Sequence, residues 1–452
     1  MRRAVFDIVY GTLEQNGHSD EWFHRVAEQD SARGRNWQEK GFIRRASYGT
    51  IEQAAASDRV IDLFSKTPAA RLKPAIRTIL RMGIYELWYM NSVPAAATCN
   101  EMVKLAKKKN FQGLAGYVNG LLRNVARADK EELCGKVLGK CQGETEKLAF
   151  IYSVPEGLVQ LLTEAYGKKT TEKILASFES ENPLTIRVQT MNASASQVLD
   201  NLTKAGIQAV PCPYVSHAFR LSGVERVEEL PGFAEGHFII QDESSMLPVM
   251  VSGIRPGDSV VDVCSSPGGK ALYAADLLEG TGMVSARDVS EYKLHRIREN
   301  VQRLKAENIE IKLWDGRAAD PEWEERADVV IADVPCSGIG VIGRKPEIRY
   351  TAVQNAPELQ RLQRNILRGS VRALRPGGTL IYSTCTVNPA ENEENARWIA
   401  EEFSLRPVPL DRDLPEELKN KMTRQGMLQI LPGIHEGNGF FVAKFIKLRR
   451  PM

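Results

Sequence analysis

No run of apolar residues in this chain is long enough to cross a bilayer, which sets aside a helical membrane protein. Cysteine is sparse: seven residues in 452, an odd number at irregular spacing, which excludes a disulfide framework and points to a reducing, cytoplasmic compartment. Six histidines are scattered without a C-x-x-C or H-x-x-x-H pair, so no structural metal is expected. There is no internal repeat and no low-complexity segment. The first residues, Met1-Arg2-Arg3-Ala4-Val5-Phe6-Asp7, lack the apolar stretch of a signal peptide and read as the start of a folded helix.

What is present is the composition of a globular protein, 43% hydrophobic and 26% charged, in a chain long enough for two or three domains. Net charge is only +3, but residues 1–130 carry 21 Lys and Arg against 13 Asp and Glu. That first part is therefore basic and the remainder mildly acidic, the asymmetry of a unit that touches a polyanion or simply of a solvated helical surface. Arg44, Arg45, Lys104, Lys107, Lys108, Lys109 and Arg123 are its candidate phosphate contacts.

Residues 1–130 read as all-helical. Val5, Ile8, Val9 and Leu13 recur at helical spacing, as do Leu72, Ile76, Ile79, Leu80, Ile84 and Leu87. Pro94 is suited to a first helical position before Ala95 to Lys107. Ala128 to Glu146 is charged and weakly patterned, a candidate linker. Residues 147–240 are mixed: Leu184 to Val188 and His237 to Gln241 read as strands and Ser194 to Ala205 as a helix, a small α+β module. From residue 245 to 452 short apolar runs alternate with helical segments: Ser259 to Val263, Met283 to Ala286, Ile309 to Leu313, Val329 to Ala332 and Thr379 to Tyr382. This rhythm predicts a mostly parallel sheet with helices on both faces, the α/β Rossmann-like architecture.

The first of these strands runs into Asp262-Val263-Cys264-Ser265-Ser266-Pro267-Gly268-Gly269-Lys270. In such a sheet ligands bind at the carboxyl ends of the strands, where a glycine turn lets backbone approach and a helix start offers free N–H groups. The turn is not G-x-G-x-x-G, which disfavours a dinucleotide. Asp288, Asp315 and Asp333 follow the next three strands, where carboxylates can accept from ribose hydroxyls and an adenine amine. One such Asp is commonly a helix cap; three in succession point to a nucleoside cofactor. Cys336, in Asp333-Val334-Pro335-Cys336-Ser337-Gly338, and Cys385, in Ser383-Thr384-Cys385-Thr386, follow neighbouring strands. A single free cysteine is usually a small buried hydrophobe; two at one sheet edge suggest covalent chemistry.

Taken together, D-V-C-S-S-P-G-G-K, D-V-P-C-S-G-I-G and S-T-C-T resemble the signature motifs of the RNA 5-methylcytosine methyltransferases. Arg344-Lys345-Pro346-Glu347-Ile348-Arg349 resembles the bacterial Sun/RsmB branch, the 16S ribosomal RNA cytosine-967 C5-methyltransferases, and the helical amino-terminal part resembles that branch's NusB-like RNA-binding domain. The resemblance spans nearly the whole chain. It implies a NusB-like domain at 1–130, an RRM-like α+β module at 147–240 and a methyltransferase domain at 245–452. It implies S-adenosylmethionine as cofactor, held by Cys264, Ser265, Ser266, Pro267, Gly268, Gly269, Lys270, Asp288, Asp315 and Asp333. Small-subunit ribosomal RNA is the implied partner, with no metal and no membrane, and a monomer is expected. The chain departs from the family at Ser265-Ser266, where Ala-Ala is usual, and at Gln189 in Arg187-Val188-Gln189-Thr190, where many members have Asn.

The implied chemistry follows from cytosine itself, whose carbon 5 is a poor nucleophile until a thiolate adds to carbon 6. By resemblance that thiolate is Cys385, Cys336 assists loss of the carbon 5 proton and release of the enzyme, and Asp333 binds the base at N3 and its amine, with Lys270 in support. Spacing alone fits either order of the two cysteines. The competing readings are the same chemistry on transfer RNA, a non-catalytic RNA-binding assembly or antitermination factor, and, more distantly, a nucleotide-dependent oxidoreductase.

Overall fold

The computed structural model describes residues 1–15, 17–31, 37–180, 183–224 and 226–448. The chain divides into two compact units, Met1–Ala176 with Arg344–Val353, and Ser177–Gly343 with Gln354–Met452. Among the described residues no helix is long and apolar enough to cross a membrane.

The first unit is helical throughout its described residues, from Arg2–Glu14 to Lys168–Ser177. The predicted periodicity becomes its core: Ile8, Val9, Ile76, Ile79, Leu80 and Ile84 are all buried. Pro94 sits one place earlier than expected, as the extended cap before helix Ala95–Lys108, because its ψ of 135° is not helical. The stretch expected as a linker forms two helices, Lys130–Leu138 and Glu144–Ile151. The first starts where the Asp129 carboxylate accepts from Glu132 N at 3.0 Å, and Leu133 and Val137 bury into the core. The segment Arg344–Val353 completes this unit. Its Glu347 carboxylate accepts from Ser19 N and Ser19 Oγ at 3.2 and 2.8 Å, and Arg349 donates to the carbonyls of Glu52 and Ser153.

Two sheets build the second unit. The smaller comprises β1 (Leu184–Val188), β2 (Gln208–Pro211), β3 (Ala218–Ser222) and β4 (Phe238–Ile240), in the order β2-β3-β1-β4 and antiparallel throughout. Helix Ala195–Lys204 covers it, capped by Ser194 Oγ accepting from Gln197 N. The larger sheet contains β5 (Ser259–Asp262), β6 (Met283–Asp288), β7 (Ile309–Leu313), β8 (Ala327–Asp333) and β9 (Leu374–Thr384), all parallel. It continues antiparallel through β10 (Leu405–Pro407), β11 (Met427–Ile430) and β12 (Phe440–Lys447), three strands that apolar spacing had not singled out. The order β10-β12-β9-β8-β5-β6-β7 puts β5 and β8 side by side with their successors on opposite sides. That reversal opens a crevice at their carboxyl ends.

Arg187 of β1 is wholly buried and ties this sheet to helix Gly269–Leu277. It donates to Gln241 Oε1 at 3.0 Å and Asp276 Oδ2 at 3.3 Å, and lies over the Tyr273 ring. A guanidinium in this setting is compensated by a carboxylate and serves packing.

Candidate active site

Asp262 and Asp333 end adjacent parallel strands, with Asp262 opposite Ile331 in the register, so both carboxylates reach the switch-point crevice. After β5 the chain turns over Ser265 to Gly268. Gly268 has φ +105°, a conformation that L side chains rarely adopt, and it caps helix Gly269–Leu277. A Cβ on Gly269 would come within 3.2 Å of the Gln241 side chain. Lys270 stands on the first turn of that helix. It is 11% exposed and donates to Asp333 Oδ2 at 2.6 Å, while Ser383 Oγ donates to Asp333 Oδ1 at 2.9 Å. Burial pushes the ammonium down, but Asp333 and Asp262 outweigh it and the net shift is upward.

Cys336 and Cys385 meet at the same edge, their Sγ atoms 3.3 Å apart as free thiols. The Cys336 thiol is raised well above its ordinary range by its hydrogen bond to Cys385 and by burial. The loop carrying Cys336 is pinned from below. Buried Glu391 accepts from Ser337 N and Gln363 Nε2, both at 2.8 Å, and from Asn388 Nδ2 at 3.0 Å. Gln363 donates also to Pro335 O, and Gly340 N donates to Cys385 O. Glu391, Gln363 and Asn388 lie on sequence with no motif of their own, and only the fold brings them under the two thiols.

Two cavities open from this edge. One, about 690 Å³, is lined by Cys264, Asp288, Val289, Leu313, Asp315 and Pro335. Asp288 is buried there, paired with Lys293 and accepting from Ser266 N, and Val289 and Leu313 are exposed at 60% and 50%. Asp315 is more open; Arg317 donates to it from Nε, Nη2 and its backbone N and holds its carboxyl below the usual range. The other cavity, about 300 Å³, is lined by Asp262, Ser265, Pro267, Lys270, Asp333 and Arg303, among others. Both Asp262 oxygens and Ser265 Oγ are buried there without a well-formed hydrogen bond. Burial pushes the Asp262 carboxyl up to about 7, and Lys270 only partly opposes it. Asp262 heads the glycine motif but was not among the expected site residues; its position at the strand end was the available signal.

These features fit S-adenosylmethionine: apolar side chains and two carboxylates for a nucleoside, and an unsatisfied carboxylate and hydroxyl for its charged amino-acid end. Among the described residues no group of three or more His, Cys, Asp or Glu side chains is placed to hold a metal ion.

Comparison with known proteins agrees with this layout. Residues 249–446 match the 16S rRNA methyltransferase RsmB/F family, 1–127 the NusB family, and 154–228 the RsmF/B-like ferredoxin-like domain. A probable ribosomal RNA small subunit methyltransferase B from Bacillus subtilis is 33% identical, aligned over 91% of each chain. Its counterpart from Synechocystis is 32% identical over 90% of this chain and 91% of its own. The crystal structure of PH0851 superposes with a TM-score of 0.81 at 25% identity, covering 98% of both chains.

Proposed function

The chain belongs to the 16S rRNA methyltransferase RsmB/F family, and from that premise we propose that it methylates carbon 5 of one cytosine in 16S ribosomal RNA through a covalent bond between Cys385 and carbon 6. It is an RNA methyltransferase that depends on S-adenosylmethionine. The observation that carries the finer reading is the pair of thiols 3.3 Å apart beside the Lys270–Asp333 ion pair.

S-adenosylmethionine, held by Asp262, Ser265 and the glycine turn at one end and Asp288 and Asp315 at the other, supplies an electrophilic methyl group. Cys385 forms the sulfur–carbon 6 bond, and the π pair of the 5,6 double bond moves toward carbon 5 and N3. Asp333 accepts from the exocyclic amine, and a proton passed from Lys270 through Asp333 to N3 balances that electron shift, returning by the same route as the methyl is added. Once carbon 5 carries the methyl, its proton passes to solvent water that the Cys336 side chain helps to position. The electron pair re-forms the double bond, and the Cys385–carbon 6 bond breaks to return the thiolate. The target base must leave its stack to reach this edge.

The test is transfer of labelled methyl to unmodified small-subunit ribosomal RNA or transfer RNA, with the product mapped by bisulfite sequencing. One modified cytosine in the ribosomal RNA, lost in Cys385→Ala, supports the reading. Methylation of transfer RNA alone overturns the substrate, and an adduct that accumulates with Cys385→Ala but not with Cys336→Ala reverses the two roles.

A further inference from the structure

The smaller cavity carries charge of both signs on its wall. Asp262, Lys270 and Asp333 interact with one another there, and Asp242, also on the wall, is held by Asn438 Nδ2 at 2.7 Å. Arg303, the last-turn residue of helix Glu291–Leu304, lines the same cavity. Its Nη1 donates to the carbonyls of Phe233 and Phe238 at 2.9 and 3.0 Å, and its Nη2 donates to Asn300 Oδ1 at 3.2 Å. The guanidinium lies 4.1 Å from the centre of the Phe233 ring. Every one of these partners is neutral. Arg187 and Arg287 of the same unit are ion-paired with Asp276 and Asp320, and Lys270 with Asp333. No carboxylate among the described residues forms an ion pair with Arg303, and burial alone displaces its titration.

A half-buried cation whose neighbours are neutral favours an anion, and two of its five N–H groups, on Nε and Nη2, remain for one. We propose that Arg303 receives the phosphodiester next to the target cytosine, whose base edge lies at Asp333, in the part of the cavity that the amino-acid end of S-adenosylmethionine leaves open. This rests on the RNA substrate of the preceding section. A nucleotide has the matching polarity: an amine that donates to a carboxylate at the base and a negative charge at the backbone. The other anion within reach of such a cavity is the carboxylate of S-adenosylmethionine, and the experiment separates the two.

Arg303→Gln removes the charge and keeps hydrogen-bonding capacity toward the carbonyls. Asn300→Asp leaves the guanidinium in place and supplies it with an internal carboxylate, so it tests the same charge if Arg303→Gln fails to fold; because Asn300 Nδ2 also donates to Pro267 O at 3.1 Å in the glycine turn, only its salt slope is read. RNA affinity is measured for the full-length protein against potassium chloride concentration, with S-adenosylmethionine affinity by calorimetry and ribosomal RNA methylation by the wild type in parallel. The expected result for both variants is a log–log salt slope shallower by about 0.7 to 0.9, the share of one phosphate, with S-adenosylmethionine affinity unchanged in Arg303→Gln. Salt slopes parallel to the wild type overturn the proposal and leave Arg303 a packing residue. A loss of S-adenosylmethionine affinity with an unchanged salt slope overturns the phosphodiester as the anion. Failure of the wild type to bind or methylate ribosomal RNA would instead sink the substrate reading.

Discussion

Asp262→Asn should make the methyltransferase unit more stable at high pH relative to the wild type, and the reason lies in two buried oxygens. The carboxyl is fully buried, neither oxygen makes a well-formed hydrogen bond, and burial, only partly opposed by Lys270 and Ser265, raises it from 3.8 to about 7. In the unfolded chain the group ionises near its ordinary value, so between these two values the native state holds a proton that the unfolded state has lost. Stability therefore falls as pH rises through that window, and the full penalty is present above about 7. Roughly three pH units at 1.36 kcal/mol each give about 4 kcal/mol, of which about 2–3 kcal/mol develops between about pH 5 and about pH 8. Asparagine has the same shape and does not ionise, so its unmet hydrogen bonds cost the same at every pH. The melting-temperature difference, variant minus wild type, should grow by roughly 6–10 °C over that range in a scan of both proteins. Saturating S-adenosylmethionine should narrow the gap at high pH by giving the carboxylate a cation. A difference that stays constant with pH would refute the reasoning, since it would mean that the Asp262 charge is already solvated in the native state.

Three further outcomes follow from the same site. Glu391→Ala should cut turnover at least about tenfold and lower stability by about 3 kcal/mol, because three donors under the Cys336 loop lose their acceptor, while calorimetry should find S-adenosylmethionine affinity unchanged. Lys270→Met should slow single-turnover methylation by about a hundredfold with RNA affinity little altered, since it leaves Asp333 without its counter-charge. Gly340→Ala should destabilise by about 1–3 kcal/mol or more in denaturant melts, because its Cβ would come within 2.1 Å of the Gly439 carbonyl oxygen, a backbone atom that cannot rotate away.

The candidate site was legible where a motif couples residue type to a strand end. Cys264 to Lys270, Asp288, Asp333, Cys336 and Cys385 needed only the strand–helix rhythm to be assigned to one edge, and they stand there. Glu391 and Arg303 were illegible for the opposite reason. A glutamate after β9 and an arginine late in an amphipathic helix look like solvent-facing charge, and their meaning comes from neighbours 54 and 70 residues away. Helix Lys130–Leu138 was passed over because its pattern is short and weak; it exists because Leu133 and Val137 find a core to enter. Edge strand β2 was missed since its residues are mostly exposed and carry little apolar signal.

By itself the sequence determined the helical first unit, the alternating larger sheet and the chemistry gathered at its edge, because hydrophobic period and strand-end motifs are local properties. Only the tertiary structure decided that Arg344–Val353 joins the helical unit, that Arg187 is an internal tie, and that Asp262 is buried without a well-formed hydrogen bond. Burial and charge compensation depend on residues distant in the chain, and the spacing of letters carries no record of them.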